Sequence, residues 1–306
     1  MIHSLVTLLT GVVDYAGLFP PANLYMQTAV RAYADYLHDP ARFMLGRFVV
    51  PIARLAEFDE ASKVLLPRGG QSKPWILTAL AGPDIIADTQ QALKFNCRHW
   101  GDSEIGHALI DSLEISVSSA DEIATAMRVV PKQFRPFFEI PNHTDSDFLI
   151  AAIGRAGGCA KIRTGGVTQK AFPAAADVAR FIQCCASHGV PFKATAGLHH
   201  PIRGEYRLTY DEQPPVGTMY GYLNIFVAAA FAWDTAVSDG DGRLLLQILE
   251  ERDASSFVFN DFGCNYRGHS ISTVTLHDAR RAFAISFGSC SFREPVDDLI
   301  ALALHD

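Results

Sequence analysis

An α/β fold of the (β/α)8-barrel (TIM-type) kind is what this sequence predicts, on three observations. Short apolar runs alternate with amphipathic helical segments along most of the chain. Seven such alternations succeed one another at roughly 25- to 35-residue spacing, which calls for parallel strands joined by helical crossovers. No GxGxxG follows the early strands, so closure into a barrel is preferred over a doubly wound open sheet.

Residues 4–10 read as a short helix that plugs the N-terminal face of the barrel. Residues 11–19 form the first strand, stopped by Pro20 and Pro21, and a helix follows over 26–37. Strand 45–51 is paired with helix 55–66, and strand 75–81 with helix 84–95. Strand 113–117 precedes a helix that Ser119 caps, with Glu122 completing a capping box. Strand 135–140 leads to helix 145–155. Strand 159–163 leads to helix 174–187, closed by Gly189, and 191–196 is the seventh strand. A loop rich in Gly, Pro and charge, 197–215, comes next. Helices at 220–235 and 243–252 and a hairpin-like stretch at 255–272 follow it. The eighth strand is assigned to 282–287, before a terminal helix that starts near Pro295. A single domain over 1–306 results, with 201–281 as a long insertion between strands seven and eight.

Hydrophobic residues at 49% and charged residues at 19% supply a sizeable core and exclude global disorder. A net charge of -7 argues against a nucleic-acid partner, which selects a basic stripe. It leaves room for a small anionic substrate in a local cationic pocket. No basic stretch and apolar run of a signal peptide open the chain, and the apolar stretch 225–233 is too short to span a bilayer. Six cysteines (Cys97, Cys159, Cys184, Cys185, Cys264, Cys290) lack CxxC spacing, as in a reduced cytoplasmic protein. No cofactor is implied, and a homo-oligomer is left open.

Seven lysines occur among 26 basic residues, and two of them, Lys161 and Lys193, interrupt strands six and seven. An ammonium inside a barrel loses hydration, so it must be paired or shed its proton. A depressed pKa is what an imine-forming lysine needs, and a neighbouring cation depresses it further. The opposing reading pairs each lysine with a core carboxylate or lets it snorkel outward across the helix layer.

The stretches Lys161-Ile-Arg-Thr-Gly-Gly and Phe192-Lys-Ala-Thr-Ala-Gly-Leu resemble strands six and seven of deoxyribose-phosphate aldolase and related class I aldolases. Their lysines stand 32 residues apart, one crossover unit. Phe287-Gly-Ser-Cys-Ser-Phe resembles the phosphate-binding loop after that family's last strand. The resemblance implies that Lys161 forms the imine, that Lys193 is the perturbing cation and that the loop holds an anionic group. It covers 158–198 and 287–292 only. Arg163 replaces a small hydroxyl residue of the family, and His199-His200-Pro201 replaces its Ile-Arg-Thr continuation.

Strand alternation adds Glu114 and Glu139 as proton-moving partners of Lys161 or as its counter-charges. Arg163 and Arg47 are candidates to grip a carboxylate or phosphate, and Thr164 lies in the turn beside them. Asp14, in the first strand, belongs to the C-terminal rim or caps a loop. His199 and His200 follow strand seven, and at least one should reach the pocket mouth. Gly288, Ser289 and Ser291, just before the last helix, form an anion cup or a plain helix cap. Asn224 is placed toward the pocket, and Cys290 has no base at readable spacing. Residues 260–263 and 267–269 suit a lid or a subunit contact. A class I aldolase-type lyase is the leading expectation. Its rivals are a metal-dependent lyase or isomerase, with Glu114, Glu139 and His199 as ligands, and a non-catalytic ligand-binding barrel.

Overall fold

The computed structural model describes residues 2–69, 72–101, 104–141, 146–234 and 242–302. Its central feature is a closed barrel of eight parallel strands, β1 (Val13–Tyr15), β2 (Leu45–Pro51), β3 (Trp75–Leu80), β4 (Ala108–Ser116), β5 (Arg135–Glu139), β6 (Cys159–Arg163), β7 (Phe192–Thr195) and, late in the chain, β13 (Ala284–Ser289). The predicted barrel is thus observed. β13 closes it by pairing with β7 on one side and β1 on the other.

Helices α2 (Met26–Tyr36), α3 (Leu55–Ser62), α4 (Ile85–Arg98), α5 (Ala120–Val129), α6 (Ser146–Ala156) and α7 (Ala175–Ser187) follow β1 to β6 in turn. Local chemistry sets their ends. Ser119 accepts a hydrogen bond from the Glu122 amide at 3.3 Å, while the Glu122 carboxylate reaches back to the Ser118 amide at 2.6 Å. α7 closes on Gly189, whose φ of +63° suits glycine, and the Val190 amide donates back to Cys185 O.

Two strands differ most in length from expectation. β4 starts five residues early, because Asp111 breaks the apolar run yet pairs with Arg47 and so does not end the strand. β1 is only three residues long, since the chain turns at Ala16 through a Phe19 amide bond to Ala16 O. The predicted starts and ends at Asp145 and Thr235 lie outside the described residues.

The chain between β7 and β13 is richer than predicted. The supposed loop holds an antiparallel hairpin, β8 (Gly204–Arg207) with β9 (Val216–Met219). α8 (Tyr222–Trp233), buried on nearly all sides, and α9 (Arg243–Glu250) stand where expected. The hairpin-like stretch is a three-stranded sheet, β10 (Phe257–Asn260), β11 (Gly263–Tyr266) and β12 (His269–Ser272). It is followed by a helix the sequence reading omits, α10 (Thr273–Ala282), capped by Ser272 on the Thr275 amide. The N-terminal helix α1 (His3–Leu9) packs on α10, β10 and β11. The last helix is α11 (Arg293–Ala301). No helix is long and apolar enough to cross a membrane among the described residues.

Candidate active site

Inward-facing residues stack in tiers along the barrel axis. Phe137 and Cys159, paired across β5 and β6, form with Ile285 a small apolar cluster on the N-terminal side of the lysines. Two residues further along each strand, Glu139 lies opposite Lys161, and Lys161 opposite Lys193. The period of two therefore sends Glu139, Lys161 and Lys193 into the barrel, as the sequence reading requires.

The lysines meet carboxylates, not each other. Lys193 Nζ donates to Asp14 Oδ2 and to Glu114 Oε1, each at 2.6 Å. Lys161 Nζ lies 2.6 Å from Glu114 Oε2 and 2.6 Å from Glu139 Oε2. Glu114 thus bridges the two ammonium groups, and Thr78 Oγ1 donates to it at 3.0 Å. Ser286 Oγ donates to Asp14 at 2.6 Å, and the Arg47 amide donates to its other oxygen at 2.9 Å. Burial opposes the charge on Glu114, but Lys161 and Lys193 outweigh it and hold the carboxyl well below the usual carboxylate range. Burial likewise opposes the Lys193 ammonium, and Asp14 and Glu114 outweigh it, so its pKa lies above the ordinary lysine value.

A cavity of about 480 Å3 opens over this network at the C-terminal end of the barrel. Its floor and walls include Glu114, Ser116, Glu139, Lys161 and Arg163. Apolar residues Phe19, Val49 and Leu80 join the wall, and Leu208 and Met219 from the β8–β9 region cover it. Lys193 does not line it; the ammonium is sealed beneath, 5.4 Å from the Phe137 ring centre. After β7 the chain turns sharply through Ala196 and Gly197, both at positive φ. A Cβ on Gly197 would stand 2.9 Å from Gly165 Cα, so only glycine fits that crossing.

The structure brings Lys161, Glu114, Glu139, Arg163, His199 and Gly288 to the cavity. It sends the other expected contacts elsewhere. Asp14 is fully buried below the rim as the partner of Lys193. Arg47, early in β2 and two residues before the cavity-lining Val49, is held by Asp111 through a two-pronged pair at 2.7 and 2.8 Å and does not line the cavity. Thr164 is buried, and its hydroxyl donates to Ala196 O at 2.7 Å, tying the two strand ends together. His200 turns away to Asp298 and stacks on the Tyr206 ring, because successive strand residues face opposite ways.

The expected anion cup is occupied from within. Ser291 Oγ accepts from the Glu294 amide in the first turn of α11 at 3.1 Å, and Ser289 is buried with its hydroxyl 3.4 Å from His199 Nδ1. The Glu294 carboxylate, 2.9 Å from His199 Nδ1, already places negative charge at that helix start. Asn224 faces structure instead of pocket: it donates to Ile248 O and Glu251 O and accepts from the Arg203 amide. The β10–β12 sheet packs on α1 and α10, and none of its residues lines the cavity. Among the described residues, no three His, Cys, Asp or Glu side chains converge to hold a metal ion; Glu114 and Glu139 face Lys161 while His199 faces Glu294.

Residues the sequence reading missed include Thr78 and Ser286, which strand alternation would have flagged. Glu294 and Tyr210 were beyond its reach, since Glu294 meets His199, and Tyr210 meets Cys290, only through the closed fold. Comparison with protein-family models, curated proteins and solved structures finds no match to this chain.

Proposed function

We propose that this barrel is a lyase of the class I aldolase type, with Lys161 as the imine-forming amine. The observation that carries the reading is the asymmetry of the two lysines. Lys161 opens onto the cavity between two carboxylates, while Lys193 is sealed below and reaches the same chemistry through Glu114.

Lys161 rests as an ammonium and passes a proton to Glu139, the more exposed of its partners, when a carbonyl compound enters. The neutral amine adds to the carbonyl carbon, and the carbinolamine takes that proton back on oxygen and loses water. The resulting iminium draws in the electron pair of the adjacent carbon–carbon bond as it breaks. The proton of the hydroxyl on the departing carbon goes through water to a carboxylate, which leaves an aldehyde and an enamine. Protonation of the enamine on carbon and hydrolysis return Lys161. Lys193, itself seated on Asp14, keeps Glu114 charged and in place beside Lys161.

Arg163, on the cavity wall 3.7 Å from Glu139, faces the anionic end of the substrate. The apolar wall suits a short carbon chain, and the cavity volume suits a small metabolite. The resemblance of 158–198 to the aldolase family points the same way.

Borohydride reduction in the presence of a panel of small aldehydes and keto acids, followed by peptide mass mapping, tests this. A reduced adduct on Lys161, lost in Lys161→Met, is the expected outcome. An adduct on neither lysine across the panel sinks the imine mechanism.

A further inference from the structure

A second group of reactive side chains opens on the same cavity and takes no part in the imine steps. Cys290 follows β13, His199 follows β7, and Glu294 lies in the first turn of α11. His199 Nδ1 stands 2.9 Å from Glu294 Oε2, and its other nitrogen, Nε2, stands 4.0 Å from Cys290 Sγ. Tyr210 OH donates to Glu294 at 2.9 Å and lies 3.6 Å from the same sulfur. Cys290 and His199 are both buried by protein yet both line the cavity.

This is the order nucleophile, base, orienting carboxylate. Glu294 fixes the Nδ1 proton and so turns Nε2 toward the thiol. Burial disfavours the imidazolium, but Cys290 and Glu294 outweigh it and push the His199 pKa up to about 10. The other buried cysteines have no such neighbour: burial pushes Cys159 up to about 11 and Cys264 up to about 12.

We propose that Cys290 and His199 form a nucleophile–base pair, oriented by Glu294, that captures the aldehyde released at Lys161 as a thiohemiacetal. The identity of the electrophile rests on the imine reading; the activated thiol does not. In the step, the Cys290 proton passes to His199 Nε2 and the freed sulfur electron pair forms the S–C bond to the carbonyl carbon. The C=O π pair moves to oxygen, and His199 Nε2–H protonates it, leaving neutral imidazole on Glu294. No leaving group and no oxidant are needed, and reversal frees the aldehyde. Capture keeps the aldehyde from re-adding to the enamine before that enamine is protonated on carbon.

Alkylation by iodoacetamide at neutral pH, mapped by peptide mass, tests the thiol pair. Cys290 is expected to react about a hundredfold faster in the wild type than in His199→Gln, with Glu294→Gln between them. Equal Cys290 rates in wild type and Glu294→Gln, the milder change, overturn the activated thiol. Propanal labelled with carbon-13 at its carbonyl tests capture, using Lys161→Met so that no imine forms. A protein-bound tetrahedral-carbon resonance that vanishes on adding Cys290→Ser is the expected result. Its absence, or its persistence without Cys290, overturns capture. Fast alkylation of Cys290 in a protein that forms no borohydride-reducible adduct supports the thiol pair and rejects the imine reading, so the two failures are distinguishable.

Discussion

Glu114 is the residue on which the interior charge depends, because among the described residues it alone bridges both lysines. Replacing it by Gln leaves two buried ammonium groups around a neutral amide, a change that costs about 3–5 kcal/mol when a buried ion pair loses one partner. Urea unfolding of Glu114→Gln measures this. Glu139→Gln should cost distinctly less, since that side chain keeps 19% exposure and touches one buried lysine, its other partner being the exposed Arg163. The pH dependence follows with two opposite signs. Glu114 has a lowered folded pKa, so its contribution is full above the unfolded value of about 4.3 and is lost as pH falls toward the folded one. His199 has a raised folded pKa of about 10, so its contribution is full below the unfolded value of about 6.5. That contribution is lost as pH rises toward 10. The stability difference between wild type and His199→Gln, from urea curves across that window, should therefore shrink with rising pH.

At the scale of elements, the β8–β9 hairpin and helix α10 make separable contributions. The hairpin supplies Met219 and, just past β8, Leu208 to the cavity wall, and its loss would open the site without touching the barrel strands. Leu208→Ala or Met219→Ala should weaken binding of a carbonyl substrate by about 1–3 kcal/mol, the worth of such a contact in an apolar pocket. Dependence of adduct yield on ligand concentration reads this, with unchanged yield at saturation. Helix α10 carries Arg280, a buried guanidinium that donates to the carbonyls of Leu8, Thr10, Ala284 and Ile285. It ties α1 to the closing strand. Arg280→Met leaves those carbonyls without their donor and should cost about 3 kcal/mol or more. Amides of α1 should lose hydrogen-exchange protection in that variant before those of the barrel.

For the whole molecule, closure is the decisive property. A closed parallel barrel has no edge strand, so each of its eight strands is paired on both sides. Native-state hydrogen exchange should then show β2 to β7 opening together, at the free energy of global unfolding. The two small antiparallel sheets, which have edges, should exchange earlier. Closure also makes the site possible. Lys193 reaches Asp14 across 179 positions of chain only because β13 brings β1 round to face β7.

Sequence alone determined the alternation, the barrel and the shared face of each strand's alternate residues, because strand periodicity is local and repeats every two residues; that Lys161, Lys193, Glu114 and Glu139 all face inward was decided by the closed barrel. Sequence also marked the caps at Ser119 and Gly189, which need only neighbours within a turn. Tertiary structure decided what each charge meets. Arg47 was legible as a cation but not as the partner of Asp111; Asp14 was legible as a carboxylate of the C-terminal rim or a loop cap but not as the seat of Lys193. The meeting of His199, Cys290 and Glu294 has no local signal at all, because it joins the ends of two barrel strands to the first turn of a helix. Such pairings are set by register and closure, which are properties of the assembled sheet and of no single segment.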